Sequence, residues 1–168
     1  MNTKSLIRHH QFKVADQVWV ATALLHRERP DAADFTLQEI VERAARETPG
    51  ETLRPGVYVH VAQHCVANRA PNPGRYRMLL ETSEGRRRLY REGDPSHPNR
   101  AGAKTRPDPG DLPPEYASLL EWYAAWSRES RIRQAENDPL LAARGSGRHL
   151  WSPEAIDDYV RELREGWE

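Results

Sequence analysis

Residues 55–91 read PGVYVHVAQHCVANRAPNPGRYRMLLETSEGRRRLYR, and the change of period inside this stretch decides the fold. Pro55 suits a first helical turn, where its missing N–H removes a donor that would lack an intrahelical partner anyway. A helix is predicted from there to about Asn68, stopped by Pro71 and Pro73. Projected at about 100° per residue, Tyr58, Val61, Ala62, Cys65 and Val66 share a predicted inner side. His60, Gln63, His64 and Asn68 share the outer one. That outer side is polar without being charged, which is unlike a solvated face rich in Lys and Glu and suits a helix that reads base edges. The period then falls to two: Tyr76–Glu81 and Arg86–Arg91 read as strands around the Gly-containing turn Thr82-Ser83-Glu84-Gly85. The second run carries arginine on both faces, so at least one face is expected to be exposed.

Upstream, the segment from Phe12 to Arg27 is apolar on most sides (Val14, Val18, Trp19, Ala21, Thr22, Leu25) and reads as a largely buried helix. Arg29-Pro30-Asp31 breaks it. The next helix has complete start signals: Thr36 as cap, Glu39 reaching back, and Phe35 and Ile40 at staple positions. Its stripe of Leu37, Ile40, Val41, Ala44 and Ala45 ends before Thr48-Pro49-Gly50. Three helices followed by a basic hairpin is the order of a winged helix-turn-helix, in which the third helix enters the major groove and the hairpin lies along the backbone. The predicted class is therefore mainly α with a small β-hairpin (α+β): a winged helix-turn-helix head, then a helix, then a C-terminal tail.

Downstream, residues 92–114 hold prolines at 95, 98, 107, 109, 113 and 114 and read as an irregular connector. A helical stripe follows (Leu112, Tyr116, Leu119, Leu120, Tyr123, Trp126), expected to pack on the head or on a second copy. Gly145-Ser146-Gly147 reads as a hinge. Beyond it Ser152 can cap and Pro153 can open a last helix whose Ile156, Tyr159, Val160, Leu163 and Trp167 share one face. Nothing later in the sequence covers that face, so an external groove is its expected home. The expected division is 1–107 for the head with its connector, 108–135 for a packing or dimerisation helix, and 136–168 for hinge and tail.

The 168 residues are 38% hydrophobic and 30% charged with no net charge, which excludes a large multidomain enzyme. Residues 1–50 are neutral, 51–107 carry +6 and 108–168 carry −6. A basic middle and an acidic end suggest two partners of different kinds, the middle meeting nucleic acid. The longest apolar run, Val18–Leu25, is too short to span a bilayer, no leader pattern opens the chain, and the lone Cys65 fits a reducing compartment. A soluble cytoplasmic protein is expected. No phosphate loop, nucleophile elbow or paired-carboxylate motif appears. His60 and His64 have the i, i+4 spacing of a metal pair, with Asp94 and His97 in reach as further ligands, but the HExxH acid is absent and no metal or cofactor is expected. The DNA-contacting set is predicted to be His60, Gln63, His64 and Asn68 on the helix, Arg54, Arg69 and Arg75 at its flanks, and Arg86, Arg87 and Arg88 on the hairpin.

Resemblance adds to this reading. Gly147-Arg148-His149-Leu150-Trp151 and the run from Asp157 to Trp167 resemble the C-terminal tails of VapB-type antitoxins, which neutralise PIN-domain ribonuclease toxins of the VapC type. The likeness covers about the last 24 residues. It implies a tail that wraps over the toxin, with Trp151 and Trp167 as anchors and Arg161 or Arg164 approaching the carboxylates that hold magnesium. Leu150, Ile156, Tyr159, Val160 and Leu163 would line the same interface. Residues 1–91 resemble instead a winged-helix module of prokaryotic defence and toxin-antitoxin proteins, through His60, His64 to Asn68, Tyr76 to Leu79, Arg88-Leu89-Tyr90 and Asp94 to Pro98. The expected function is thus a non-catalytic antitoxin that occludes a PIN-domain ribonuclease toxin with its tail and autorepresses by binding double-stranded operator DNA with its head, a homodimer being the outcome if the stripe from Leu112 to Trp126 packs on a second copy. The alternatives are a stand-alone winged-helix regulator or protein-interaction module, and a metal-dependent nuclease built on His60, His64 and His97.

Overall fold

The computed structural model describes residues 13–48 and 52–136, together with Pro139 and Arg161. The chain divides into two units, residues 1–125 and 126–168.

Helix α1 (Val14–Glu28) is buried on almost every side, as its sequence predicts. Most of its buried polar residues have partners, one within the helix and others far along the chain. Thr22 donates to the Val18 carbonyl at 2.8 Å, Gln17 to the Ala44 carbonyl at 3.3 Å, and His26 accepts from the Leu89 amide at 3.4 Å. Helix α2 (Leu37–Arg46) begins with the expected capping box: the Glu39 amide donates to the Thr36 hydroxyl at 3.2 Å, and the Thr36 amide donates to the Glu39 carboxylate at 2.8 Å. Phe35 and Ile40, the staple pair, are fully buried, each worth about 1.5–3 kcal/mol of apolar transfer.

A two-residue strand, β1 (Phe35–Thr36), precedes α2 and is too short to leave a period in the sequence. It pairs antiparallel with β3 (Arg86–Leu89), which pairs antiparallel with β2 (Leu79–Ser83), giving a three-stranded sheet in the order β1-β3-β2. The register runs Leu79↔Leu89, Leu80↔Arg88 and Glu81↔Arg87, then slips so that Ser83 faces Arg86. Thr82 is the extra residue of that bulge. The turn is Glu84-Gly85, with Gly85 at φ 71°, a left-handed conformation costly for residues with a Cβ. The strands are shorter than the predicted Tyr76–Glu81 and Arg86–Arg91. The fold is α-rich with a small antiparallel sheet, an α+β arrangement.

The third helix is the main departure from expectation. α3 spans Gly56–Val59 and continues as a π-helical turn over His60–His64, a wider winding that is rare and frequent at functional positions. It stops four residues before Asn68 because the sheet takes over the backbone. The amides of Met78 and Leu79 both donate to the Cys65 carbonyl, at 3.0 and 2.9 Å, and the Ala67 amide donates to Leu79 at 2.7 Å.

Residues 92–114 are irregular, as expected, apart from short 3-10 turns, but they are tied down by buried polar contacts. Arg100, with no exposed surface, donates to the carbonyls of Arg69 (2.6 Å), His64 (2.8 Å), Tyr76 (2.6 Å), Gln63 (2.9 Å) and Ala70 (3.3 Å). Two of these are end carbonyls of the π turn, where a helix leaves acceptors to be satisfied; that of Gln63 also accepts from the Val66 amide at 3.2 Å. Lys104 pairs with Asp108 and Asp111 at 2.8 Å each, and Lys13 reaches Asp111 at 2.7 Å, so the strap is also tied to the start of α1. Few apolar side chains are involved, and for that reason the composition suggested a loop.

α4 (Ser118–Glu136) follows two 3-10 turns. Leu112, Leu119 and Tyr123 are buried within the first unit. Tyr123 meets Trp19 edge-on, ring centres 5.4 Å apart, and its hydroxyl donates to the Tyr90 carbonyl. For these three residues the stripe packs on its own head and not on a second copy. No helix among the described residues is long and apolar enough to cross a membrane.

Candidate recognition surface

α3 and its π turn are held by Val57, Val61, Cys65 and Val66, all fully buried. Val61, Cys65 and Val66 of the expected inner side are thus inside and Ala62 is half-buried, while Val57 takes the place expected for Tyr58. Tyr58, placed inside by the regular projection, is 58% exposed, and Val59 beside it is 43% exposed. The surface of this helix adds an aromatic and an aliphatic side chain to the expected polar residues, of which His60, Gln63 and His64 are half-buried and Asn68 is exposed. Gln63 turns its amide to the Ala70 carbonyl at 2.7 Å. Asn68 behaves as a strand mimic: it donates to the Glu81 carbonyl at 2.9 Å and accepts from the Glu81 amide at 3.0 Å.

The two histidines stay together. Nδ1 of His60 lies 2.8 Å from the Gly56 carbonyl, so it carries the proton and donates. The His60 and His64 rings meet at 4.7 Å between centres and 78° between planes, and Tyr76 lies 6.2 Å from His60. Burial pushes His60 below its ordinary pKa, opposed by the Gly56 contact.

The arginines expected on phosphates are largely occupied within the chain. Arg87 is corrected outright: its side chain is 1% exposed, paired with Glu81 at 2.9 Å and donating to the Arg86 carbonyl at 2.8 Å. Alternation along β3 puts Arg87 and Leu89 on the inner face, so a positive charge lies inside the sheet and no phosphate reaches it. Arg69 grips the same Glu81 with two bonds of 2.7 Å. The two guanidiniums, Arg69 foremost, hold the Glu81 carboxyl below its usual range. Arg88 grips Asp94 at 2.6 and 2.8 Å, Arg86 pairs with Asp34 at 2.5 Å, and Arg54 donates to the Gln17 side chain at 3.1 Å. Of the ten predicted DNA residues Arg75 is an exposed arginine with no ion pair among the described residues. The hairpin tip presents Thr82, Ser83 and Glu84, whose only charge is negative.

Neither further metal ligand proposed for the histidine pair joins it. Asp94 is held by Arg88, and His97 caps the 3-10 turn Pro98–Arg100 by accepting from the Asn99 amide at 3.2 Å. Among the described residues no group of three or more His, Cys, Asp or Glu side chains is placed to hold a metal. Cys65 is buried, and burial pushes its thiol well up, against nucleophilic use.

Sequence reasoning missed two groups. Arg100 was indistinguishable from its proline-rich surroundings. Asp16, inside an apolar helix, is 1% exposed, and neither of its oxygens has a hydrogen-bond partner among the described residues. Burial raises its pKa, with Lys104 opposing. A lone acid within an otherwise apolar run was the available signal.

Of the tail set, Arg161 is helical and exposed. Leu150, Trp151, Ile156, Tyr159, Val160, Leu163, Arg164 and Trp167 lie outside the described residues. No protein family, curated protein or solved structure matches the chain.

Proposed function

We propose that this chain is an antitoxin-type adaptor: a winged-helix head that recognises a protein through the outward side of α3, joined to a C-terminal segment that occludes a PIN-domain ribonuclease. Support for a winged helix is the order α1, β1, α2, α3, β2, β3 with β3 central, where β2 and β3 form the wing. The observation that carries the choice of a protein over DNA is the pairing of Arg69, Arg86, Arg87 and Arg88 with carboxylates, taken with the exposure of Tyr58 and Val59. Residues 13–48 and 52–125 hold sixteen Lys and Arg against fifteen Asp and Glu, so the head has almost no net field to draw a polyanion. The tail assignment rests on its likeness to VapB-type tails, and the reading assigns no catalysis to this chain.

Operator binding is the second reading, favoured by the absence of any Asp or Glu between Glu51 and Glu81. Co-expression with the neighbouring gene product, followed by pull-down with the intact chain and with a chain cut after Arg144, tests the adaptor. Capture of a small ribonuclease by the intact chain alone is the expected result; capture by neither form overturns the tail assignment. Tyr58→Glu separates the head's two readings: it abolishes the head's protein contact, whereas an unchanged protein contact with lost DNA retention would restore the operator reading.

A further inference from the structure

We infer that His60 and His64 form a two-imidazole chelate for a borderline divalent ion such as Cu2+, Ni2+ or Zn2+, completed by water or by a ligand from a partner. The inference is independent of the function proposed above.

The distances carry it. A metal sits about 2.0–2.1 Å from an imidazole nitrogen and hence about 3.2 Å from the ring centre. At a nitrogen–metal–nitrogen angle of about 95–110°, two such rings stand roughly 4.6–5.2 Å apart by that geometry. The observed 4.7 Å between ring centres falls in this span. Each ring is also held. His60 donates Nδ1–H to the Gly56 carbonyl, which fixes the tautomer and leaves Nε2 with its lone pair, the arrangement usual for a metal-bound histidine. His64 is pressed by the backbone of Gly74: a Cβ there would stand 2.7 Å from the His64 Cβ, so only glycine fits. Both residues lie on the π turn, where widened winding changes the offset of side chains four apart.

The surroundings select the ion. No carboxylate exists between residues 52 and 80, so the hard ions Mg2+ and Ca2+ find no oxygen ligands on this stretch. Neutral nitrogen donors suit the borderline ions, with Cu2+ first in the usual order. With two protein ligands the site stays open, and a donor from another molecule can close it. Tyr58 and Val59 lie on the same helix, so metal capture would brace the surface they present.

Calorimetric titration of the full-length protein with Cu2+, Ni2+ and Mg2+, joined to the electron paramagnetic resonance spectrum of the Cu2+ form, tests this. One equivalent of Cu2+ with nitrogen hyperfine structure from two imidazoles is expected, and no Mg2+ uptake. His60→Gln and His64→Gln should each weaken Cu2+ and Ni2+ binding at least tenfold, and Gly74→Ala should weaken it by displacing His64. His97→Gln and the double change His9→Gln with His10→Gln should leave the two-nitrogen site in place. Far-ultraviolet circular dichroism checks that each variant folds. Unchanged binding in folded His60→Gln and His64→Gln, or loss of the two-nitrogen signal in the His9/His10 variant, would overturn the inference.

Discussion

Arg100 shows how a single side chain can replace a hydrophobic contact layer. Its guanidinium satisfies five carbonyls and has no carboxylate partner among the described residues, so its removal strands acceptors as well as opening a cavity. Arg100→Met should destabilise the head by about 3–5 kcal/mol, read as a lower urea midpoint at unchanged slope. His26 offers a second test at this scale. Burial foremost, then Arg91 and Arg88, lower its pKa from 6.5 to about 3. The fold therefore favours the neutral ring: this contribution is whole above pH 6.5 and is lost as pH falls toward 3. His26→Gln, which can still accept from the Leu89 amide, should flatten stability against pH across that window, where one such group contributes a slope approaching about 1.4 kcal/mol per pH unit. An identical slope in the variant would show that the ring titrates freely.

Elements were legible in proportion to how local their causes are. The capping box of α2 needs only Thr36 and Glu39, four positions apart counting both ends, and it formed as read. Thr36→Ala should cost about 1 kcal/mol in thermal unfolding, while Thr36→Ser should cost little. Gly85→Ala, at a positive φ that the hairpin turn requires, should cost about the same amount. α3 was misread because its end is decided elsewhere: Met78, Leu79 and Arg100 claim its terminal carbonyls from 13 or more residues downstream, and no helical projection contains them. The same distance effect hid the buried Arg87. A run of three arginines reads as surface until the bulge at Thr82 and the carboxylate of Glu81 place the middle one inside.

At the scale of the molecule, regional charge proved a poor guide to the field a partner would meet. The +6 of residues 51–107 is a sum over a segment, whereas a ligand feels what remains after Asp34, Glu81, Asp94, Asp108 and Asp111 have taken their counterparts. Duplex binding by the head should accordingly be weak and shallow in salt. A mobility-shift series should give a slope of log K against log[salt] of magnitude below about 3, the signature of few phosphate contacts. A slope steeper than about 6, at the level of six to ten contacts, would mean that the ion pairs open to meet DNA.

The position of Arg100 in the chain also orders events in time. Ribosomes deliver residues from the N-terminus at roughly 5–20 per second. The helix, the hairpin and the turn that follows it all emerge before the side chain that seals them. Until then the nascent head exposes the carbonyls of residues 63, 64, 69, 70 and 76, and a message truncated before codon 100 yields a product that cannot close itself. A chain ending before residue 100 should accordingly be cut faster by added protease than the complete head, and equal cutting rates would show that the head closes without Arg100.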